Sequence, residues 1–267
     1  MVEALAVYRR LIGAGVRSQF QFRTSFVLFS IGQFLITFVD FLAVLVVFSH
    51  VHQLAGWTVW QVVFIYGLSG IAFRLADVFV SEVEYLPDHV KGGTFDHFLI
   101  RPRGTLLQLC AEEFELRRFG TVLEGFIIFG IACSRVGVHW SAGRVAVTAY
   151  SALAGAAIFG SVWVIGAALN FWLLDAREVV NSFTYGGNFL TQYPLPIYGV
   201  VLRRVLTFVV PLAFVSFFPA LYVLGKRDPF TSLGVIRFLS PLVAAGTLVV
   251  ARLAWRAGVR HYRSTGT

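Results

Sequence analysis

Charge is scarce in this 267-residue chain: 13% of positions are Asp, Glu, Lys or Arg, against 57% hydrophobic. That leaves too little polar surface for a water-soluble globule, which argues against soluble enzymes and against a large soluble helical core. Cysteine is almost absent. Cys110 falls in a polar segment and Cys133 in an apolar run, so no disulfide is expected, and no Cys/His spacing suits a structural zinc. A phosphate-cradling loop is missing too. Gly225-Lys226 is followed by Arg227, and Ala220 stands where the first glycine would be, so the chain is not expected to bind or hydrolyse ATP and is not expected to be an enzyme. Gly67-Leu68-Ser69-Gly70 has the outline of an intramembrane serine protease. Such a serine needs a general base, yet His50, His52, His89, His97, His139 and His261 all avoid the interior of apolar runs, and Lys91 and Lys226 lie in loops. A close helix contact through Gly67 and Gly70 is the better reading. A cleaved leader is not expected, because the first apolar run starts late, carries Asp40 and has no small-residue cleavage site after it.

What the chain has in quantity is long apolar runs: Ser25–Phe48, Val59–Val80, Phe119–Val138, Val145–Leu169, Val205–Leu224 and Phe238–Trp255. Each approaches or exceeds the ~20 residues that cross a hydrocarbon core as a helix. The expected fold is an all-α polytopic membrane protein with six transmembrane helices. The net charge of +8 would suggest nucleic acid in a soluble chain, but basic and aromatic residues do not interleave, so no nucleic-acid partner is expected. The charge sorts by side instead. With the N-terminus inside, sixteen Lys and Arg fall in cytoplasmic segments (Arg9 and Arg10 through Arg260 and Arg263) and five on the other side: Arg135, Arg144, Lys226, Arg227 and Arg237. Both termini are therefore expected in the cytoplasm. The outer loops near His50–Gly56 and His139–Arg144 are short. The inner segments Ser81–Arg118 and Phe171–Arg204 are long, which suggests business in the cytosol. No repeat or linker divides the chain, so residues 1–267 are expected to form one membrane domain.

Before the first run, Leu5, Tyr8, Leu11, Ile12, Val16 and Phe20 recur near helical spacing among Arg9, Arg10, Arg17 and Arg23. This predicts an interfacial helix over residues 1–24, apolar face in membrane lipid and basic side chains toward anionic headgroups. Asp40, Arg74 and Asp77 are read as the ionisable residues inside runs. Arg74 and Asp77 share a helix face and should lie near the inner interface, where Arg74 can snorkel. Asp40 lies deeper and should face protein or water, as a structural partner or as part of a pathway. Ala152, Ala156 and Gly160 form a small-residue ridge suited to packing within the chain or between subunits. Pro211 and Pro219 remove backbone donors in the fifth run and should kink or break it, which suits a gate but also a plain kink.

The stretch Gly92-Gly93-Thr94-Phe95-Asp96-His97-Phe98-Leu99-Ile100-Arg101-Pro102 is the most distinctive. The glycines end one element, Thr94 or Asp96 can cap a short helix, and Pro102 ends it. A short cytoplasmic helix exposing Phe95, Phe98, Leu99 and Ile100 follows. Exposed apolar groups beside charges mark a docking surface; an amphipathic loop resting on the membrane is the other reading.

That stretch resembles the permeases of ATP-binding-cassette exporters with six-helix membrane subunits, of the ABC-2-like kind, in a branch whose first inner loop carries Gly93, Phe95, Asp96, Leu99, Arg101 and Pro102 as they stand here. Gln192-Tyr193-Pro194 with Ile197-Tyr198 is similar to that branch's Tyr-Pro segment. Pro211-Leu212-Ala213-Phe214, Pro219-Ala220 and Leu224-Gly225 are similar to its proline-rich region. Trp255, Gly258, Val259, Arg260, Tyr262 and Gly266 are similar to its tail, with Val259 where leucine is usual. The resemblance implies an exporter in the cytoplasmic (inner) membrane of a bacterium. Its ATP and Mg would be bound by a separate cytoplasmic ATPase subunit gripping a coupling helix over Phe95, Asp96, Phe98, Leu99, Arg101 and Pro102, within a coupling loop spanning residues 81–118. A second six-helix permease, a paralogue or another copy, would complete the membrane part.

Two other classes compete. An ATP-independent secondary transporter would need ion-coupling residues near the midplane, for which Asp40 is a thin candidate. A membrane scaffold would need no pathway at all. The residues do not name a cargo: drug, lipid, peptide and glycan all remain open.

Overall fold

The computed structural model describes residues 23–112, 117–173, 176–230 and 233–263. The expected interfacial helix and the tail's Gly266 lie outside the described residues. Helix α1 (Arg23–His50) covers the first apolar run and α2 (Val59–Val80) the second. A 3₁₀ turn (Ser81–Tyr85) leads into three short helices, α3 (Leu86–Lys91), α4 (Asp96–Leu99) and α5 (Thr105–Cys110). There follow α6 (Arg117–Arg135), α7 (Ala142–Leu169), α8 (Arg177–Thr191), α9 (Val200–Arg204), α10 (Phe217–Val223) and α11 (Ser240–His261). No strand occurs among the described residues. Among the described residues, three helices are long and apolar enough to cross a membrane: α2 with its continuation to Lys91, α7 and α11. A fourth is present if the bent pair Val200–Val209 and Leu212–Val223 counts as one.

Local chemistry sets the helix starts. Ala55 and Gly56 take positive φ, and Gln61 accepts a hydrogen bond from the Thr58 amide as α2 begins. Ser141 caps α7 by accepting from the Arg144 amide. α2 and α7 form the centre. Most of α2 is buried, and its approach to neighbours depends on glycine. A Cβ on Gly67 would lie 2.9 Å from the Phe129 backbone in α6, and one on Gly155 of α7 would lie 2.8 Å from Ala72 in α2. Small residues at such points let backbones approach closely, which strengthens dispersion contacts where lipid gives no hydrophobic drive. Gly160 of the α7 ridge, and Gly155 beside that ridge, thus pack within the chain, Gly160 against Val80 and Gly155 against Ala72 and Val215. Gly67 makes the expected close contact, while Gly70 does something else, described below. α1 presents a run of exposed apolar side chains, Leu28, Ile31, Leu35 and Val39 among them, as a face turned to lipid or to another subunit requires.

The fifth run breaks at Pro211, as the missing backbone donor led one to expect: Val200–Val209 and Leu212–Val223 are bent by 78°. The ladder loosens there into a π turn over Val205–Val209, and the Leu212 amide bonds back to the Val210 carbonyl at 2.6 Å. Phe171–Arg204 is not a connecting loop. Within it, α8 starts beside α3, where Arg177 pairs with Asp88 at 2.6 Å, and climbs to the middle of α2, where Thr191 meets Ser69 at 2.5 Å. The chain then continues to the far end of the molecule. Arg203 stacks over Phe230 at 4.5 Å, Phe230 neighbours Phe217, and Phe217 neighbours Trp57, just ahead of α2. Lys226 joins the same end, donating to the Gly56 carbonyl at 2.8 Å. Arg203, one of the sixteen basic residues expected on the cytoplasmic side, therefore lies at the end of the molecule opposite the Gly92–Pro102 segment. The periodicity of α8 is disguised: its buried face is Val180, Thr184, Gly187 and Thr191, helical in spacing but hardly apolar in composition. Pro219 does not break anything. It sits in the first turn of α10, where a missing amide donor is not needed.

Candidate functional site

The segment between α2 and α6 is built as a rigid base carrying an exposed tip. α3 closes on Gly92, whose amide bonds to the Asp88 carbonyl at 2.8 Å, and Gly93 adopts a φ of +69°, a turn that favours glycine. The Phe95 amide then bonds to the His89 carbonyl at 3.1 Å. α4 is a single turn, Asp96–Leu99, with Phe95 at its N-cap and no side-chain cap. Thr94 bonds to His89 Nδ1 at 2.9 Å instead of capping. The helix stops before Pro102, as expected.

The exposure pattern corrects the sequence expectation for half of the apolar set. Phe95 is fully buried and Phe98 nearly so, while Leu99 is 43% and Ile100 80% exposed. The Phe95 ring packs against Tyr262 at 4.9 Å, Phe171 at 5.2 Å and Phe98 at 5.9 Å. Phe171 in turn meets Trp255, whose indole N–H donates to Thr105 at 3.0 Å. Phe95 is thus wedged between the end of α7 and the end of α11. The tertiary fold turns Phe95 inward because both helix ends offer it aromatic faces, and Phe98 follows onto Phe95 and His89, which local spacing cannot show. Asp96 lies beside Tyr262; burial, and secondarily the Asp96 carboxylate, push the tyrosine hydroxyl up to about 12. Leu99, Ile100, Arg101 and Pro102 form a continuous exposed tip, with His97 exposed beside it. Gln108 steadies it, donating to the carbonyls of Phe98 and Arg103, each at 3.0 Å.

A polar girdle ties this base to α6 and α8. Arg118 pairs with Glu82 at 2.6 Å and donates to the Asp77 carbonyl at 3.1 Å, with Ser81 Oγ also in contact. Asn181 donates to Glu84 at 3.0 Å and the Tyr185 hydroxyl donates to the same carboxylate at 3.3 Å. Arg118 and Glu82 are largely buried, so the pair is not screened by solvent; Asp88, paired with Arg177, is half exposed and its pair is weaker. Cys110 lies inside the same base, where burial first and Glu82 second push its thiol up to about 12.

Among the residues flagged inside runs, Arg74 does not snorkel. Its guanidinium turns back along α2 and across to α6: a Cβ on Gly70 would lie 2.8 Å from Arg74 Nη1, and one on Gly125 3.5 Å from its Cδ. Gly70 and Gly125 make room for this side chain. Glu124, next to Gly125, is a buried acid within the Phe119–Val138 run, masked in the sequence by the run's apolar average. Asp77 contributes its carbonyl to Arg118. The backbone of Asp40 lies in α1; its side chain is outside the described residues. Pro211 lines an apolar cavity of about 460 Å³ together with Gly166, Phe183 and Thr247.

These helices and this burial pattern define a polytopic all-α membrane protein. Residues 34–266 match the family described as ABC-2 family transporter protein, and the chain belongs to that family. It is accordingly a permease component of an ABC transporter and a multi-pass membrane protein, and membership implies association with an ATP-binding cassette subunit. No curated protein and no solved structure matches the chain.

Proposed function

We propose that this chain is the membrane half of an ATP-driven exporter, and that the tip Leu99-Ile100-Arg101-Pro102 seats the ATPase subunit. The observation that carries this is the division of labour within one loop. Phe95 is locked between the ends of α7 and α11 and Phe98 packs on Phe95 and His89, while Leu99 and Ile100 stand exposed on that base. A push on the tip is then delivered to the helix ends by packed rings instead of being lost in a compliant loop. Arg101 supplies a planar donor for a carboxylate on the partner.

On this reading the chain itself performs no catalysis, and ATP and Mg are held by the partner. Six crossings, with both termini on the loop side, place the tip in the cytoplasm; α8 supplies the rising part of the fifth crossing. A second permease, related or identical, pairs with this one and encloses a pathway, with Asp40, Arg74 and Asp77 as polar candidates near it. The Pro211 break, beside an apolar cavity, is the gate element; Pro219 is a helix-start residue. The bacterial inner membrane is the proposed location.

Purification from the native membrane in mild detergent tests this. A stoichiometric ATPase subunit that is lost on Arg101→Ala with Ile100→Asp supports the reading. Reproducible absence of any ATPase with the intact chain would leave a secondary transporter or a scaffold.

A further inference from the structure

A cavity of about 580 Å³ opens where α11 leaves the bundle, between that helix and the start of α5. Gly104, Thr105 and Leu106 form one wall; Arg252, Trp255, Arg256, Val259 and Arg260 form the other. Arg252, Arg256 and Arg260 recur every four residues, so their guanidinium groups share one side of α11. All three are exposed, and none makes an ion pair or hydrogen bond among the described residues. Trp255 between them is buried and held by its bond to Thr105, which gives the cavity a fixed apolar floor.

The same side of α11 changes character along its length. Toward the N-terminus it exposes Leu242, Val249 and Leu253, each more than half exposed. Toward the C-terminus it exposes the three arginines. An apolar strip ending in a cluster of unpaired cations is complementary to an acyl chain ending in an anionic headgroup.

We propose that this cleft binds an anionic phospholipid from the surrounding leaflet, with the headgroup phosphate among Arg252, Arg256 and Arg260 and the acyl chain along Leu242, Val249 and Leu253. A topology signal alone needs basic residues near the helix end; it does not need them aligned over a walled cavity. The opposite wall belongs to the docking loop, so the bound lipid bridges α11 and that loop and stabilises the Trp255–Thr105 contact.

The test uses the full chain in detergent micelles, titrated with phosphatidylglycerol or phosphatidylcholine of identical acyl chains. Native mass spectrometry reads retained lipid, and thermal unfolding reads stabilisation. The wild type should retain and be stabilised by phosphatidylglycerol preferentially. The preference should fall roughly fivefold for each arginine changed to Ala, and survive in the triple variant R252K/R256K/R260K, which guards against a folding defect. Equal retention of the two lipids by the wild type, or an undiminished preference in a folded triple-Ala variant, overturns the proposal. Stabilisation by inorganic phosphate alone, as strong as by phosphatidylglycerol, overturns the lipid source in favour of a free anion. Loss of the ATPase from the triple-Ala variant with lipid preference intact assigns the cleft to the partner protein and also overturns it.

Discussion

The base and the tip of the docking loop should respond oppositely to substitution, although Phe95 and Ile100 are only five residues apart. Replacing Phe95 by Ala removes a fully buried ring that touches Phe98, Phe171 and Tyr262. The lost transfer energy and the unfilled cavity together amount to about 3–5 kcal/mol for a buried Phe→Ala change. The neighbours cannot collapse far, since Phe171 is itself held against Gly258, where a Cβ would approach its ring within 2.4 Å. Ile100 is 80% exposed, so Ile100→Ala should stay within about 0.5 kcal/mol. Thermal unfolding of the purified chain separates the two: a large loss for Phe95→Ala and none resolved for Ile100→Ala. In the assembled transporter, Ile100→Asp should release the ATPase without loss of permease stability, whereas Phe95→Ala should leave ATP hydrolysis running with transport impaired. The reasoning is refuted if both variants lower stability alike, or if Phe95→Ala leaves stability unchanged.

Three further outcomes follow from the same geometry. Glu82→Gln removes the carboxylate that lies 2.6 Å from the largely buried Arg118 and should destabilise by about 3–5 kcal/mol, whereas Asp88→Asn at the more exposed pair should cost about 0–1 kcal/mol; denaturation of both variants in one detergent checks the contrast. Gly258→Ala should cost about 1–3 kcal/mol by pressing on Phe171, and Phe171→Leu in the same chain should recover part of that loss. The Cys110 thiol, raised from 9.0 to about 12, stays neutral in the folded state while the unfolded state gives up its proton more readily. Stability should therefore decline as pH climbs from about 9 toward 12, the decline should be shallower in Cys110→Ala, and maleimide at neutral pH should label Cys110 only after unfolding.

Much of the plan was readable from residue order because lipid imposes a coarse rule. Backbone polar groups in hydrocarbon must be bonded within the segment, so long apolar runs become helices whatever their neighbours. Helices duly cover five of the six runs from end to end or nearly so. The glycine pair and Pro102 bound α4 as expected, since both act through backbone sterics that need no tertiary partner. Composition failed where burial is inside protein instead of lipid. α8 hides a polar, small-residue face against α2, Arg74 is accommodated by Gly70 and Gly125, and Glu124 is buried in α6.

Residue order by itself determined that this is a helical membrane protein with a distinctive loop, because hydrophobic length and glycine or proline placement act locally. Only the tertiary structure decided which way each side chain of that loop faces, and that Pro211 breaks the fifth run while Pro219 does not. Phe95 is an anchor and Ile100 a tip because the ends of α7 and α11 converge on one side of a single helical turn. Arg203 lies beside Phe230 because α8 carries the chain toward the far end before the Pro211 break. Both outcomes depend on contacts between segments distant in sequence, which no local periodicity encodes.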